Sequence, residues 1–355
     1  MLATLPAVAA AGFEIIIAAP SHGPLAAALH GRDIAHIGWS AHDETGLRVP
    51  LTQMRGELAA IIKSTRPDLL HANSLSTARI SGPVAEAADI RSIGHFRDII
   101  KLTSQAVADI NRHCRLLAVS KATRGFHIAQ GADAGKCFVL YNGVDLNEFC
   151  PRPTSGYLHR ELRLPDSARL VAVIGQLGLR KGTEVALGAA RLLASAMPDT
   201  HWLVVGERTS SKAESIEFEA SLRSLAGHPT LAGRVHFLDV RRDIPRLMNE
   251  CTLVVHAARQ EPLGRVFLEA AATGLPAVAT DVGGTREIYP SEQDGAVLVR
   301  PDDPIELAAA ARSLLSDEAR RQTIATGARR RAEAVFDIRP AAMRLIEHYR
   351  LAMVS

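Results

Sequence analysis

Short, unbroken apolar runs rich in β-branched residues recur along the chain, each followed by a turn and an alanine- and leucine-rich stretch of helical character. The earlier runs are Glu14–Ala18, Leu69–His71, Leu116–Val119 and Cys137–Leu140. Leu170–Ile174, Trp202–Val205, Val235–Leu238, Leu253–Val255 and Ala277–Ala279 follow. A strand with one wet face alternates apolar and polar residues. A continuous run predicts a strand covered on both faces, as in a parallel sheet. The helical stretches supply the crossovers that parallel pairing requires. The expected class is α/β, with two facing Rossmann-like domains of parallel sheet.

The length of 355 residues fits two domains at roughly 100–200 residues each. With 41 basic and 38 acidic side chains the net charge is only +3, which gives no support for a nucleic-acid partner. The four cysteines, Cys114, Cys137, Cys150 and Cys251, show no C-x-x-C spacing, which fits a reduced setting. No apolar stretch approaches the roughly 18 residues of a spanning helix, and Met1–Ala11 lacks the basic start of a secretory leader. These features predict a cytoplasmic protein.

Turn chemistry at Tyr141–Asp145, then Pro151, Pro153, Ser155 and Gly156, predicts a linker near residues 142–166. The expected domains are 1–149, joined by a closing helix over 337–355, and 150–336. The tail carries helical spacing at Ala341, Leu345, Ile346 and Tyr349, with Pro340 suited to its first turn. At the front, Ala3–Ala11 reads as a helix closed by Gly12 and Glu14–Ala18 as the strand after it. A Rossmann half opens with a strand and a glycine loop before its first helix. The expectation is a first domain one strand and one glycine loop short: either the strand is lost and activity impaired, or the start is truncated and upstream in-frame sequence encodes a strand with a Gly-Gly loop.

Chemistry concentrates in Glu261-Pro-Leu263-Gly264-Arg265-Val-Phe-Leu-Glu269, followed by Ala-Ala-Ala-Thr-Gly-Leu-Pro-Ala-Val-Ala-Thr-Asp-Val-Gly283-Gly284-Thr-Arg-Glu287. On a helix, two carboxylates eight residues apart are separated by about 12 Å of axis and point within about 80° of each other. A diphosphate at the helix N-terminus could then have one Glu beside each of its two sugars. An isolated pair of this kind is ordinary on a surface helix, so the surrounding string carries the argument. A second segment, Gly175-Gln176-Leu-Gly-Leu-Arg180-Lys181-Gly182, lies between a strand and the helix expected over Glu184–Ala196. Adjacent cations at a helix start would meet an anion with both side-chain charge and helix dipole. By itself it is equally an ordinary basic loop.

The first string resembles the E-x7-E segment of the retaining family 4 glycosyltransferases of GT-B fold, the glycosyl transferases group 1. The resemblance spans roughly residues 12–350. It implies a metal-independent enzyme that moves a sugar from a nucleotide-diphosphate donor, without further cofactor, to a glycan, lipid-linked or small-molecule acceptor. Retention at the anomeric carbon is part of that implication. In the family the first Glu lies at the donor sugar and the second binds the ribose hydroxyls, so those roles fall to Glu261 and Glu269. Leu263, Gly264 and Arg265 lie along the donor between them. Gly283 and Gly284 let backbone approach the ligand without a Cβ.

The second segment resembles the family's G-R-x-x-x-x-K-G diphosphate clamp. Gly175 and Lys181 match, but the Arg position is Gln176, so Arg180 or Arg265 is the candidate replacement. Val204-Val-Gly206-Glu207 follows a strand as in the family. Asp239 stands where a Gly usually contacts the base. In the first half, Arg91-Ser-Ile-Gly-His95-Phe-Arg97 resembles the segment whose His faces the donor sugar, which makes His95 the candidate hydrogen-bond partner or proton handler at the anomeric centre. Asp68-Leu-Leu-His71-Ala-Asn73-Ser74 resembles the family's D-x-x-H-x-H segment with Asn73 at the second His. His71 and Asn73 are therefore candidate sugar or acceptor contacts.

Lipid-linked acceptors in the family imply peripheral contact with the inner membrane face, and Ala- and Arg-rich usage is compatible with cell-envelope, polysaccharide or secondary-metabolite biosynthesis. Two alternatives remain from the residues themselves. One is a nucleotide-sugar epimerase or hydrolase of GT-B fold, which would yield an epimerised or hydrolysed donor instead of a glycoside. The other is a degenerate binding member, motivated by Gln176, Asn73 and the short front.

Overall fold

Every sheet pairing in the computed structural model, which describes residues 2–354, is parallel. The chain divides into two units. One runs to Tyr141 and takes back everything from Ile338 onward; the other is Asn142–Asp337.

The first unit begins with a single 3-10 turn, Leu2–Thr4, and α1 (Leu5–Ala10), then β1 (Ile16–Ala19), α2 (Pro24–His30) and β2 (Ala35–Gly38). It continues through α3 (Leu51–Thr65), β3 (Leu69–Ala72), α4 (Leu75–Ala87) and β4 (Arg91–Phe96). α5 (Ser104–Ile110), β5 (Arg115–Ala118), α6 (Lys121–Ala129) and β6 (Cys137–Val139) complete it. β1 and β2 form one small sheet, and β3-β4-β5-β6 form another. Serines placed just after strands start the helices: Ser74 Oγ accepts from the Thr77 amide to cap α4, and Ser120 Oγ accepts from the Thr123 amide to cap α6.

The second unit contains α7 (Tyr157–Leu162), β7 (Arg169–Ile174), α8 (Thr183–Leu193), β8 (Thr200–Val205), α9 (Ala213–Ala226) and β9 (Val235–Phe237). Then come α10 (Ile244–Glu250), β10 (Leu253–His256), α11 (Arg265–Thr273), β11 (Ala277–Thr280) and α12 (Thr285–Ile288). β12 (Ala296–Val299), α13 (Pro304–Ser316) and α14 (Glu318–Val335) follow. Its sheet order is β12-β11-β10-β7-β8-β9, so the winding reverses between β7 and β10. Leu170, Val171 and Ala172 are all fully buried, as a strand covered on both faces requires. Val171, Val255 and Val278 pack with Ala186, Ala189 and Leu193 of α8 and with Leu307, Ala311 and Leu314 of α13.

The last helix, α15 (Ile338–Val354), belongs to the first unit. It places Leu345, Ile346 and Ala352 in one apolar cluster with Val8, Ile93, Leu117 and Leu140.

Three findings depart from the sequence reading. The division falls after Tyr141 and not at 149/150, because residues 144–149 are fastened to the second unit. The Val144 amide donates to Phe336 O at 2.8 Å, and Arg329 Nη1 donates to Phe149 O at 2.9 Å and Ala272 O at 2.6 Å. Strands β2, β4 and β12 lay outside the apolar runs. β4 was masked by buried polar residues that have partners inside: Ser92 Oγ meets His113 Nδ1 at 2.8 Å. Finally, Glu261 precedes α11, so the helical rise does not apply to the whole interval between Glu261 and Glu269.

Candidate functional site

In the second unit, the loop after β7 and the loop after β10 leave neighbouring strands at the point where the winding reverses. Open α/β sheets hold ligands outside the strand carboxyl ends at such a point. The β7 loop ends in a 3-10 turn, Leu179–Lys181, before α8. Gly182 stands at φ 60°, and a Cβ there would lie 2.0 Å from Ala257 O, so only glycine lets the two loops touch. The Arg259 amide donates to Arg180 O at 2.9 Å, a second tie between the same loops.

This contact brings Lys181 Nζ to 2.6 Å from Glu261 Oε2. His256, the last residue of β10, donates from Nε2 to the same oxygen at 2.9 Å. Both His256 and Glu261 are buried. Burial pushes the Glu261 carboxyl up, but the His256 hydrogen bond and the Lys181 ammonium outweigh it and hold the group at about 2. Burial lowers the His256 imidazole despite the facing carboxylate. Glu261 is therefore an ionised, water-poor carboxylate held by a neutral imidazole and an ammonium. The Glu261 backbone is pinned as well: Gly284 N donates to its carbonyl at 2.9 Å, and a Cβ on Gly283, at φ 54°, would lie 2.0 Å from that carbonyl.

Glu269 lies on α11, largely buried, and burial raises its carboxyl while Arg265 at 3.2 Å counters the rise. Arg265 is otherwise exposed, with Leu263 and Gly264 buried in front of it. Gly206 sits after β8 at φ 133°, donating to Asp239 O at 2.8 Å. A Cβ there would come within 2.1 Å of Gly175 O, so Gly175 and Gly206 define a tight floor. Asp239 has φ 45°, the conformation that a glycine would take without cost and that Asp tolerates. Gln176 is exposed and hydrogen-bonded to Thr209 Oγ1. Exposed Arg180 places Nη1 3.3 Å from Gln260 O, beside the Lys181–Glu261 pair, whereas Arg265 turns to Glu269.

In the first unit the structure brings His71 and His95 together. His71 Nε2 is 3.2 Å from His95 Nδ1, and His71 Nδ1 is 2.7 Å from Tyr349 Oη of α15. Asn73 Oδ1 accepts from Arg97 Nε at 3.0 Å, so the residue at the second His position holds an arginine. Burial, with the Arg97 charge second, lowers His71 to about 3 and His95 well below its usual range.

Sequence reasoning missed His256, Arg97 and Tyr349 as members of these groups. The signal for His256 was a polar residue ending an apolar strand run. For Tyr349 there was no local signal, since the contact spans most of the chain. Among the described residues no group of three or more His, Cys, Asp or Glu is placed to hold a metal ion. No described helix is long and apolar enough to cross a membrane.

Comparison with known proteins places these geometries in a family. The model for glycosyl transferases group 1 matches residues 157–331, and that for Glycosyltransferase Family 4 matches residues 2–148. A D-inositol 3-phosphate glycosyltransferase of Salinispora tropica is 35% identical over 308 residues, covering 83% of this chain and 58% of the relative. The lipopolysaccharide core biosynthesis mannosyltransferase LpsB of Rhizobium meliloti is 30% identical over 184 residues, 51% of each chain. The chain thus spans little more than half the length of these curated relatives. HepE of Anabaena, solved with UDP and with UDP and glucose, is 25% identical. The alignment with UDP and glucose covers 98% of this chain and 95% of HepE with a TM-score of 0.85. The two domain models, matching one unit each, show that this chain belongs to the group 1, family 4 glycosyltransferases of GT-B fold.

Proposed function

We propose that this chain transfers a hexose from a nucleotide-diphosphate sugar to an acceptor hydroxyl with retention at the anomeric carbon. The observation that carries the reading is the buried, ionised Glu261 held by Lys181 and His256 where β7 and β10 diverge. A carboxylate kept charged in a dry site, beside ammonium and guanidinium groups on the neighbouring loop, suits a reaction that develops positive charge on a sugar and negative charge on a departing phosphate. Lys181, Arg180 and the N-terminus of α11 stabilise the leaving diphosphate, and Glu261 positions the sugar. Glu269 takes the ribose hydroxyls, and the glycines at 175, 206, 283 and 284 admit the ligand close to backbone. In the transfer the anomeric carbon–phosphate oxygen bond breaks, the bond to the acceptor oxygen forms, and the acceptor proton leaves with the diphosphate.

Lys181 and Arg180 supply positive charge on the β7 loop, which supports a metal-independent reaction. HepE, solved with UDP and glucose, supports a uridine nucleotide and a glucosyl group as the first donor to try. The Salinispora relative supports a phosphorylated polyol among the acceptors to screen, and LpsB a lipopolysaccharide core. We place the enzyme in the cytoplasm, with glycan, lipid-linked and small-molecule acceptors all within its class.

The test is a donor screen by ligand-induced thermal shift, then mass analysis of acceptor products and proton NMR of their anomeric and ring couplings, with a chelator present. A glycoside of retained configuration is expected. Glu261→Gln should lower turnover at least about 100-fold while the fold persists. An epimerised or hydrolysed donor with no glycoside, or full turnover in the variant, would reject the reading.

A further inference from the structure

Tyr349, His71 and His95 form one continuous hydrogen-bonded chain within the first unit, built from α15, β3 and β4. Tyr349 Oη lies 2.7 Å from His71 Nδ1, and His71 Nε2 lies 3.2 Å from His95 Nδ1. The two imidazoles stack with centroids 5.4 Å apart and planes 16° from parallel. His95 is 1% exposed, and its Nε2 meets no hydrogen-bond partner among the described residues. Arg97 directs Nη2 at His95 Nδ1 from 3.5 Å.

One arrangement of the protons makes every contact in this chain a donor–acceptor pair. A guanidinium has donors only, so the His95 Nδ1 that faces Arg97 is an acceptor. A neutral imidazole that accepts at Nδ1 carries its proton on Nε2. His71 Nε2–H must then donate to His95 Nδ1, which leaves His71 Nδ1 to accept from the Tyr349 hydroxyl. The reverse arrangement would set an N–H of His95 against an N–H of Arg97. Burial, aided by the Arg97 charge, keeps both rings neutral, as the arrangement requires.

We propose that Tyr349 and His71 are positioning residues that fix His95 as its Nε2–H tautomer, so that His95 offers a hydrogen-bond donor, and not a base, to an oxygen of a bound substrate. The clause about the substrate rests on the reading of His95 given above; the tautomer relay does not. A buried N–H without a partner is costly, and a ligand oxygen would relieve that cost. Tyr349 also packs its ring edge-on against Phe13 at 5.5 Å, a contact that phenylalanine would keep.

The experiment pairs two-bond proton–nitrogen NMR of the histidine rings with steady-state kinetics on wild type, Tyr349→Phe and His95→Ala. Wild type should show His95 protonated at Nε2. Tyr349→Phe should mix the tautomers and lower kcat about 3- to 10-fold, the worth of one hydrogen bond. Its donor KM should stay unchanged, while the lost hydrogen bond lowers the first unit's melting temperature by a few degrees. A wild-type His95 protonated at Nδ1 would overturn the proposal. So would a Tyr349→Phe enzyme unchanged in both spectrum and kcat, which is the outcome a merely structural tyrosine predicts. Full turnover in His95→Ala would remove His95 from the reaction, and the spectra would still decide the relay.

Discussion

Glu261 keeps its charge in a place where burial alone would neutralise it, and that makes it a source of pH-dependent stability. Its folded value, about 2, lies below its ordinary 4.5. The ionised form therefore stabilises the second unit fully above about pH 4.5, and that stability is lost as pH falls toward 2. Glu261→Gln leaves Lys181 beside a neutral amide and should cost about 1–3 kcal/mol near pH 7. The gap between wild type and variant, followed by urea unfolding, should close on acidification through that window. A constant gap would mean that the carboxylate charge does nothing for the fold. His71 adds a separate acid sensitivity in the first unit. Because its folded value is lowered to about 3, stability is complete above about 6.5 and declines as pH falls below that.

The β7 and β10 loops act as one element because Gly182 lets them touch. Gly182→Ala puts a Cβ 2.0 Å from Ala257 O at a φ of 60° and should cost about 1–3 kcal/mol. Gly178→Ala, in open space at φ −164°, should change stability by less than about 0.5 kcal/mol. Thermal unfolding of the two variants side by side checks this, and equal losses would contradict it. At the scale of elements, much of the fold was legible. Nine continuous apolar runs predicted nine of the strands, since strands buried on both faces have no polar period to hide in. β4 escaped because buried Ser92, partnered by His113, and buried His95 interrupt its apolar pattern. The positions of Glu261, Glu269 and Lys181 were readable from their strings. The Lys181–Glu261–His256 grouping was not, because it depends on which strands are neighbours, and β7 and β10 are far apart in sequence.

For the whole molecule, the second unit is an insertion within the first. The chain leaves the first unit after Tyr141 and returns at Ile338, and the two passages lie side by side through the Val144–Asp337 bridge. Deleting α15 removes Leu345, Ile346 and Tyr349 from the first unit's core. Each large aliphatic contributes about 1.5–3 kcal/mol when fully buried, so the loss should exceed what a domain of this size tolerates. Calorimetry of the truncated chain should show the second unit's transition retained and the first unit's abolished. Two intact transitions would count against the role given to α15. The docking of that helix also sets an order of events during synthesis. Domains made first usually fold first on the ribosome. Here the first unit waits for α15 to emerge, so the second unit, made in between, is complete while its neighbour still exposes Ile93 and Leu117.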